Sequence, residues 1–302
     1  MTNKIFADLH NHTTASDGDF NSAKLLEKAK SLGIKAVGIT DHDTLAGLKT
    51  AVDVRKKMNA EVISGVEVSI RFKRPYFTGT LHLLCYFSLQ RLADIAFVSA
   101  FDAVLKQGRG KKLVKSRIRK INAVFGPGGK TPLLKRDMEY PDIERLSSNA
   151  SRRHFAICLN ESFGIRDRQT INRIIGNTSP SYLPSGVALE KVKSFIKSYP
   201  VLAVLAHPAA GSFEGPGHYK EVLPPLEIVE KILPEFMDAG LKGVEVYYPG
   251  HMEKHIRILK GWAKKFDLIV TGGSDCHDGR DRPFGVQGIS QIEYDIFKET
   301  LI

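Results

Sequence analysis

Seven short apolar runs rich in β-branched residues, most of them set apart by amphipathic stretches of helical length, restrict what this chain can fold into. The runs are IFADL (5–9), AVGIT (36–40), EVISGVEVS (61–69), LHLLCYF (81–87), VLAVLA (201–206), GVEVYY (243–248) and LIVTG (268–272). Between them, the stretches 22–33, 46–59, 227–240 and 252–266 carry apolar residues at helical spacing. Strands alternating with helices predict an α/β fold with a mainly parallel sheet, closed or nearly closed. Seven strand candidates make a β/α barrel more natural than an open sheet. Residues 100–190 break the rhythm with a basic helical pattern, FDAVLKQGRGKKLVKSRIRKINAVF, followed by GPGGKTP and mixed helical segments. They are read as a helical insertion subdomain between the fourth and fifth strands. The barrel is then discontinuous, residues 1–99 being rejoined by residues 191–302.

A chain of 302 residues with 42% hydrophobic and 25% charged content can bury a sizeable core without disulfides. Its three cysteines, Cys85, Cys158 and Cys276, are odd in number and far apart, which fits a reducing cytoplasm. The first residues lack an apolar signal core, and no stretch approaches the roughly 18 apolar residues of a membrane span. The formal net charge of +11, concentrated between Lys106 and Arg136, suggests anionic partners such as phosphorylated metabolites, nucleotides or nucleic acid. A merely solvated basic surface is the competing reading of that charge.

Metal-competent side chains stand at nearly every strand candidate. His10, His12 and Asp17 follow the first, in DLHNHTTASDG, and Asp41, His42 and Asp43 follow the second, in GITDHDT. Glu67 lies in the third and His82 begins the fourth. His207 follows the fifth in LAHP, Glu245 lies on the sixth, and Asp275 and His277 follow the seventh in GGSDCHD. Strand ends in a β/α barrel converge on one face, so residues distant in sequence can share one volume. Imidazole and carboxylate without thiolate suit zinc, manganese or iron with positions left open for water. So many ligands exceed one ion and suit two or three, an arrangement that activates water against phosphate esters. Glu245 reads equally as a site residue or as a strand residue satisfied by a neighbouring cation. Of Asp41 and Asp43, one could orient a ligand ring and the other cap the following helix.

These motifs, in this order, resemble the polymerase and histidinol phosphatase (PHP) superfamily along almost the whole barrel portion. The resemblance implies a distorted seven-stranded β/α barrel holding three divalent ions, manganese, iron or zinc. Carried over motif by motif, the ligands are His10, His12, Asp17, His42, Glu67, His82, His207, Asp275 and His277, with Glu67 bridging. His12, His207 and Asp275 are then expected to be indispensable to catalysis, His207 as a candidate proton donor to the leaving oxygen.

The helical insertion resembles the branch that hydrolyses 3′-phosphates of nucleoside 3′,5′-bisphosphates and short RNA from its 5′ end. In QGRGKKLV, Arg109 and Lys112 fall one helical turn apart, and in SRRHFA, Arg152 and His154 match an Arg-x-His-x-Ala element of that branch. These four are candidate substrate residues, since the arginine fork suits phosphate oxygens. One departure is the longer Arg/Lys/Tyr segment RFKRPYFTGT (71–80) at the pocket rim. Alternatives are a histidinol-phosphate-like small-molecule monophosphatase and a non-catalytic nucleic-acid-binding module with structural metals. No membrane association and no obligate protein partner are expected. GPGGKT (126–131) lacks the first glycine of a phosphate loop. HMEKH (251–255) has Met252 where a zinc protease needs glutamate, and SDGDFN lacks the later ligands of a calcium loop. These three are read as turn or surface.

Overall fold

The computed structural model describes residues 4–58, 61–215 and 223–301; residue 59, last of the second predicted helix, lies outside them. Seven strands form one sheet in sequence order: β1 (Ala7–Asp8), β2 (Ala36–Ile39), β3 (Glu61–Arg74), β4 (Phe77–Phe87), β5 (Leu202–Leu205), β6 (Leu241–Tyr247) and β7 (Ile269–Gly272). All neighbours pair in parallel except β4, which runs antiparallel to both β3 and β5. The seam between β1 and β7 carries no ladder. It is bridged by the Leu9 N–H donating to the Gly272 carbonyl at 3.2 Å and by a parallel pair, Asn11 with Cys276. The sheet is thus a distorted seven-stranded barrel.

Asp8 fastens the seam with side-chain bonds. Its carboxylate accepts from Ser274 N–H and Oγ–H at 2.9 and 2.6 Å, and from Gly285 N–H at 3.1 Å. Burial nevertheless pushes this carboxyl up to about 6. Gly273 is dictated by the same close approach, for a Cβ there would lie 2.4 Å from His10 N.

Helices cover the barrel where the periodicity predicts them. α1 (Ser22–Leu32) starts at Asn21, whose side chain accepts from Lys24 N–H, and stops at Gly33 with φ 72°. It buries Leu25, Leu26 and Ala29. α2 (Ala46–Met58) follows β2. β3 and β4 are joined by a hairpin, and the chain then passes into α3 (Ile95–Leu105), α4 (Lys111–Phe125), α5 (Tyr140–Glu144), α6 (Arg152–Phe163), α7 (Arg168–Ile175) and α8 (Leu189–Ser198). α3 and α8 belong to the barrel's own packing, their Phe101 and Phe195 rings stacked at 4.4 Å. A second hydrophobic cluster, including Val114, Ile121, Phe125, Phe155, Leu159 and Ile174, knits α4 to α7 into a separate body. α9 (Leu226–Asp238), α10 (Glu253–Phe266) and α11 (Gln291–Thr300) complete the outer layer. Among the described residues no helix is long and apolar enough to cross a membrane. All three cysteines are buried and unpaired.

Candidate metal centre

The ends of the parallel strands open on one rim, and the ligand-type side chains meet there. Because β4 runs backwards, its first half lies at that rim. His82, at the middle of β4 opposite Ser69, and Glu67, at the middle of the long β3, reach that rim from within their strands, whereas His10, His12, His42, His207, Asp275 and His277 lie just beyond the ends of β1, β2, β5 and β7. Donor atoms fall into three overlapping groups, each within 4.8 Å: His10, His12, Glu67 and Asp275; His12, Asp17, His42 and His277; and His42, Glu67 and His82. His207 joins at Glu67, its Nε2 2.8 Å from Oε1, with His82 Nδ1 3.4 Å away. Glu67 lies at the middle, contacting five imidazoles: those of His10, His12, His42, His82 and His207.

Backbone geometry aims several of these groups. Asp43, His207 and Asp275 have φ of 50°, 30° and 48°, in the left-handed region that side chains other than glycine rarely adopt. Such conformations cost about 1–3 kcal/mol each and persist where the surroundings impose them. Here the strand-end turns impose them, turning side chains over the barrel mouth.

A supporting layer holds the donors. Glu245 on β6 accepts from His10 Nδ1–H at 3.0 Å and from His207 N–H at 2.7 Å, so it orients one ring and one backbone turn. Asp41 accepts from Thr13 N–H and Oγ–H and from Ser16, which fixes the loop carrying Asp17. Asp43 binds Ser69 through N–H and Oγ–H at 2.8 Å and pairs with Arg109. No side chain caps α2 from these two positions; both serve the rim instead. His251 and His255 are buried, contrary to their reading as surface: His251 lies in the turn before α10 and packs under the loop after β5, while His255, in the first turn of α10, accepts from Met252 N–H through Nδ1 at 3.2 Å. His251 accepts from Ala209 N–H at 3.2 Å and its Nδ1 lies 2.9 Å from the Val246 carbonyl, bracing the turn after His207. Burial holds it down at about 3, so the imidazole is neutral.

Several buried polar atoms at the rim, among them His12 Nδ1, Asp17 Oδ1 and His207 Nδ1, meet no hydrogen-bond partner among the described residues. Orphaned donors and acceptors at this depth are costly unless something else satisfies them. Burial would raise the carboxyls of Glu67, Asp17 and Asp275. The surrounding imidazoles, with Arg282 foremost at Asp275, overcome that and hold all three well below the usual range. Ionised carboxylates, imidazole nitrogens and unsatisfied buried atoms converging in one volume fit divalent cations.

Above the rim lies a cleft of about 310 Å³, closed on one side by the α4–α7 body. Six arginines line it: Arg109, Arg117, Arg152, Arg153, Arg168 and Arg282. Arg152 is among the residues read from the sequence, and so is Arg109, which is tied to Asp43. The helical turn expected to align Arg109 with Lys112 is absent: Gly110, at φ 97°, starts α4 after Arg109, and Lys112 is exposed and outside the cleft lining. His154 stands at the start of α6, where its Nδ1 accepts from Ser151 N–H at 3.0 Å in a capping box. Sequence reasoning missed Arg117, whose Nε and Nη2 both donate to the Leu183 carbonyl, at 3.2 and 2.9 Å. Burial lowers this guanidinium to about 10. It also missed Arg282, which donates to Asp275 Oδ2 at 3.1 Å, and Tyr248, whose hydroxyl donates to the same oxygen at 3.2 Å. Isolated residues on a helix or loop carry no spacing signal that would have exposed them.

A family model described as the PHP domain matches residues 8–90. The chain is 39% identical to the 5′-3′ exoribonuclease Rnm of Escherichia coli, over 95% of this chain and 94% of that one. It is 27% identical to the 3′,5′-nucleoside bisphosphate phosphatase of Chromobacterium violaceum, over 91% and 89%. Among solved structures it shares its fold with a Bifidobacterium adolescentis protein at TM-score 0.75 and 21% identity, covering 98% of this chain and 96% of that one. An amidohydrolase from Chromobacterium violaceum superposes at 0.74 with 22% identity, covering 98% and 97%. With a relative of this identity aligned along nearly its whole length, and the convergent imidazole and carboxylate cluster described above, the chain belongs to the PHP family and is a metal-dependent phosphoesterase.

Proposed function

We propose that this phosphoesterase acts on nucleotides, removing the 3′-phosphate of nucleoside 3′,5′-bisphosphates and trimming short RNA from its 5′ end. The carrying observation is that three groups of ligand atoms, overlapping pairwise at His12, His42 and Glu67, lie on the floor of a cleft lined by six arginines. A simple monoester needs fewer cations than that. The names of the relatives from Escherichia coli and Chromobacterium violaceum support the same substrate class.

The three groups would hold three divalent ions, manganese, iron or zinc. His10, His12, Glu67 and Asp275 are assigned to one, and His12, Asp17, His42 and His277 to the second. His42, Glu67 and His82, with His207 beside them, are assigned to the third. Ions so placed lower the pKa of water and neutralise charge on the phosphoryl oxygens. The chain's own residues do the rest. Glu245 fixes His10, and Asp41 and Asp43 fix the loops that carry Asp17 and His42. Arg282 and Tyr248 hold one oxygen of Asp275 in place. His207, braced by Glu245 and His251, would pass the proton released by the attacking water to the leaving ribose oxygen, which departs as a hydroxyl when the P–O bond breaks. Within residues 100–190, the α4–α7 body serves as the substrate-binding subdomain, in which Arg117 and Arg152 grip the phosphate that is not cleaved. Arg109 shapes the wall beside it, Lys112 adds positive charge outside the cleft, and His154, a neutral ring accepting from Ser151 N–H, holds the start of the helix that carries Arg152.

Phosphate release from a nucleoside 3′,5′-bisphosphate, a nucleoside monophosphate and histidinol phosphate, with manganese present, tests this reading. The bisphosphate is expected to turn over with the highest kcat/KM, and equal or better rates on histidinol phosphate would replace the nucleotide reading with the small-molecule one. His12→Ala and Asp275→Ala are expected to lose at least about 1,000-fold in rate, roughly 4 kcal/mol of barrier lowering, while keeping the native circular dichroism spectrum.

A further inference from the structure

β3 and β4 run 14 and 11 residues, far past the four residues or fewer of β1, β2, β5 and β7. Their ladder continues above the rim from Arg71 opposite Thr80 to Arg74 opposite Phe77. Side chains alternate faces along a strand, so Glu67, Ser69, Arg71 and Lys73 share one face of β3. Glu67 is the centre of the cluster and Ser69 binds Asp43. Arg71 and Lys73, next along the same face, are exposed and form no ion pair among the described residues. The opposite face is anchored: Phe72 packs edge-on against Phe236 at 5.5 Å, and Arg74 pairs with Glu235 on α9. Arg71 N–H also donates to the Val187 carbonyl at 2.8 Å. The hairpin is therefore a rigid arm presenting two unneutralised cations on the face that leads out from the metal centre, with Thr80 at its base lining the cleft.

At about 3.3 Å per residue, Arg71 and Lys73 stand roughly 13 and 20 Å from Glu67, and about 7 Å from each other. That mutual spacing is comparable with the separation of successive phosphates in an extended strand. A cleft of about 310 Å³ is at the small end of ligand pockets and accommodates about one nucleotide, so the rest of a longer chain must lie outside it. We propose that the β3–β4 hairpin is a guide for single-stranded RNA, with Arg71 and Lys73 binding backbone phosphates downstream of the nucleotide in the cleft. The proposal rests on the RNA-trimming reading above. Its partner is a polyanion of several phosphates, since a mononucleotide held in the cleft does not extend to this arm.

The test compares wild type with Arg71→Ala/Lys73→Ala on two probes in manganese buffer: a nucleoside 3′,5′-bisphosphate and a 5′-phosphorylated 12-nucleotide RNA. The variant is expected to keep bisphosphate kcat/KM within about two-fold and to lose about ten-fold on the 12-mer at low salt. The slope of log affinity against log salt, measured by fluorescence anisotropy of the 12-mer, should fall by roughly 1.4, about 0.7 for each single-strand phosphate left unneutralised. Arg71→Lys/Lys73→Arg should restore both. Equal losses on the two probes, or unchanged affinity and slope on the 12-mer, overturn the proposal. Wild type that binds the 12-mer without trimming it would remove the nuclease reading alone, because the anisotropy difference still reports on the arm. Wild type that neither binds nor trims it overturns both.

Discussion

Single residues at this site divide into those that offer an atom to the barrel mouth and those that hold such atoms still, and His251 shows what the second kind demands. Its imidazole is neutral because it is buried and accepts an N–H from Ala209. Between about pH 6.5 and about 3 the unfolded chain binds a proton at this position that the folded chain refuses, so stability is present above pH 6.5 and is lost as pH falls through that window. His251→Gln, which keeps a donor and an acceptor without a titrating ring, is expected to flatten the acid side of the Tm profile between pH 4 and 6.5. A profile parallel to wild type would remove the argument. The residues aimed at the mouth were legible in the sequence because they recur at strand ends, where periodicity already marks a boundary. Glu245 carries two readings in the sequence, since a lone carboxylate on a strand has the same pattern whether it meets a histidine or a lysine. Arg117 and Tyr248 gave no signal, their importance coming from the fold alone.

At the scale of elements, the strand period located every strand and the helical period located α1, α2, α4, α9 and α10, while α8, α11 and the direction of β4 were what they did not convey. A run such as LHLLCYF reads the same forwards or backwards, and only the short Pro75–Tyr76 connection, too brief for a crossover helix, marks the reversal. α11 lies outside every stretch predicted helical, and its start is fixed by a reciprocal pair of bonds. Ser290 N–H donates to the Glu293 carboxylate at 2.9 Å, and Glu293 N–H donates back to Ser290 Oγ at 3.4 Å. The helix so started buries Tyr294 and Phe297, and Phe297 meets Tyr86 edge-on at 5.1 Å at the end of the barrel remote from the metal centre. Ser290→Ala should cost about 1 kcal/mol, read as a lower urea midpoint at unchanged m-value, with phosphatase activity retained in the absence of denaturant.

For the whole molecule, the cluster at the rim places three ionised carboxylates and several buried, unsatisfied atoms in one volume, so its occupancy and the stability of the fold are linked. Chelation is expected to abolish phosphate release and lower Tm together, and added manganese should restore both. At 100-fold excess over its dissociation constant each ion contributes about 2.7 kcal/mol. Unchanged Tm after metal analysis confirms removal would show that the cluster is satisfied by protein contacts alone. The barrel seam carries a different consequence. Asp8 and Ser274, the fasteners of that seam, are 266 positions apart. A ribosome therefore delivers His10 and His12 long before Asp275 and His277 exist, and no partial product contains a finished centre. During translation the chain is chemically silent, and its reactivity begins only when its final strand and the loop beyond it have been synthesised and have folded back against the first.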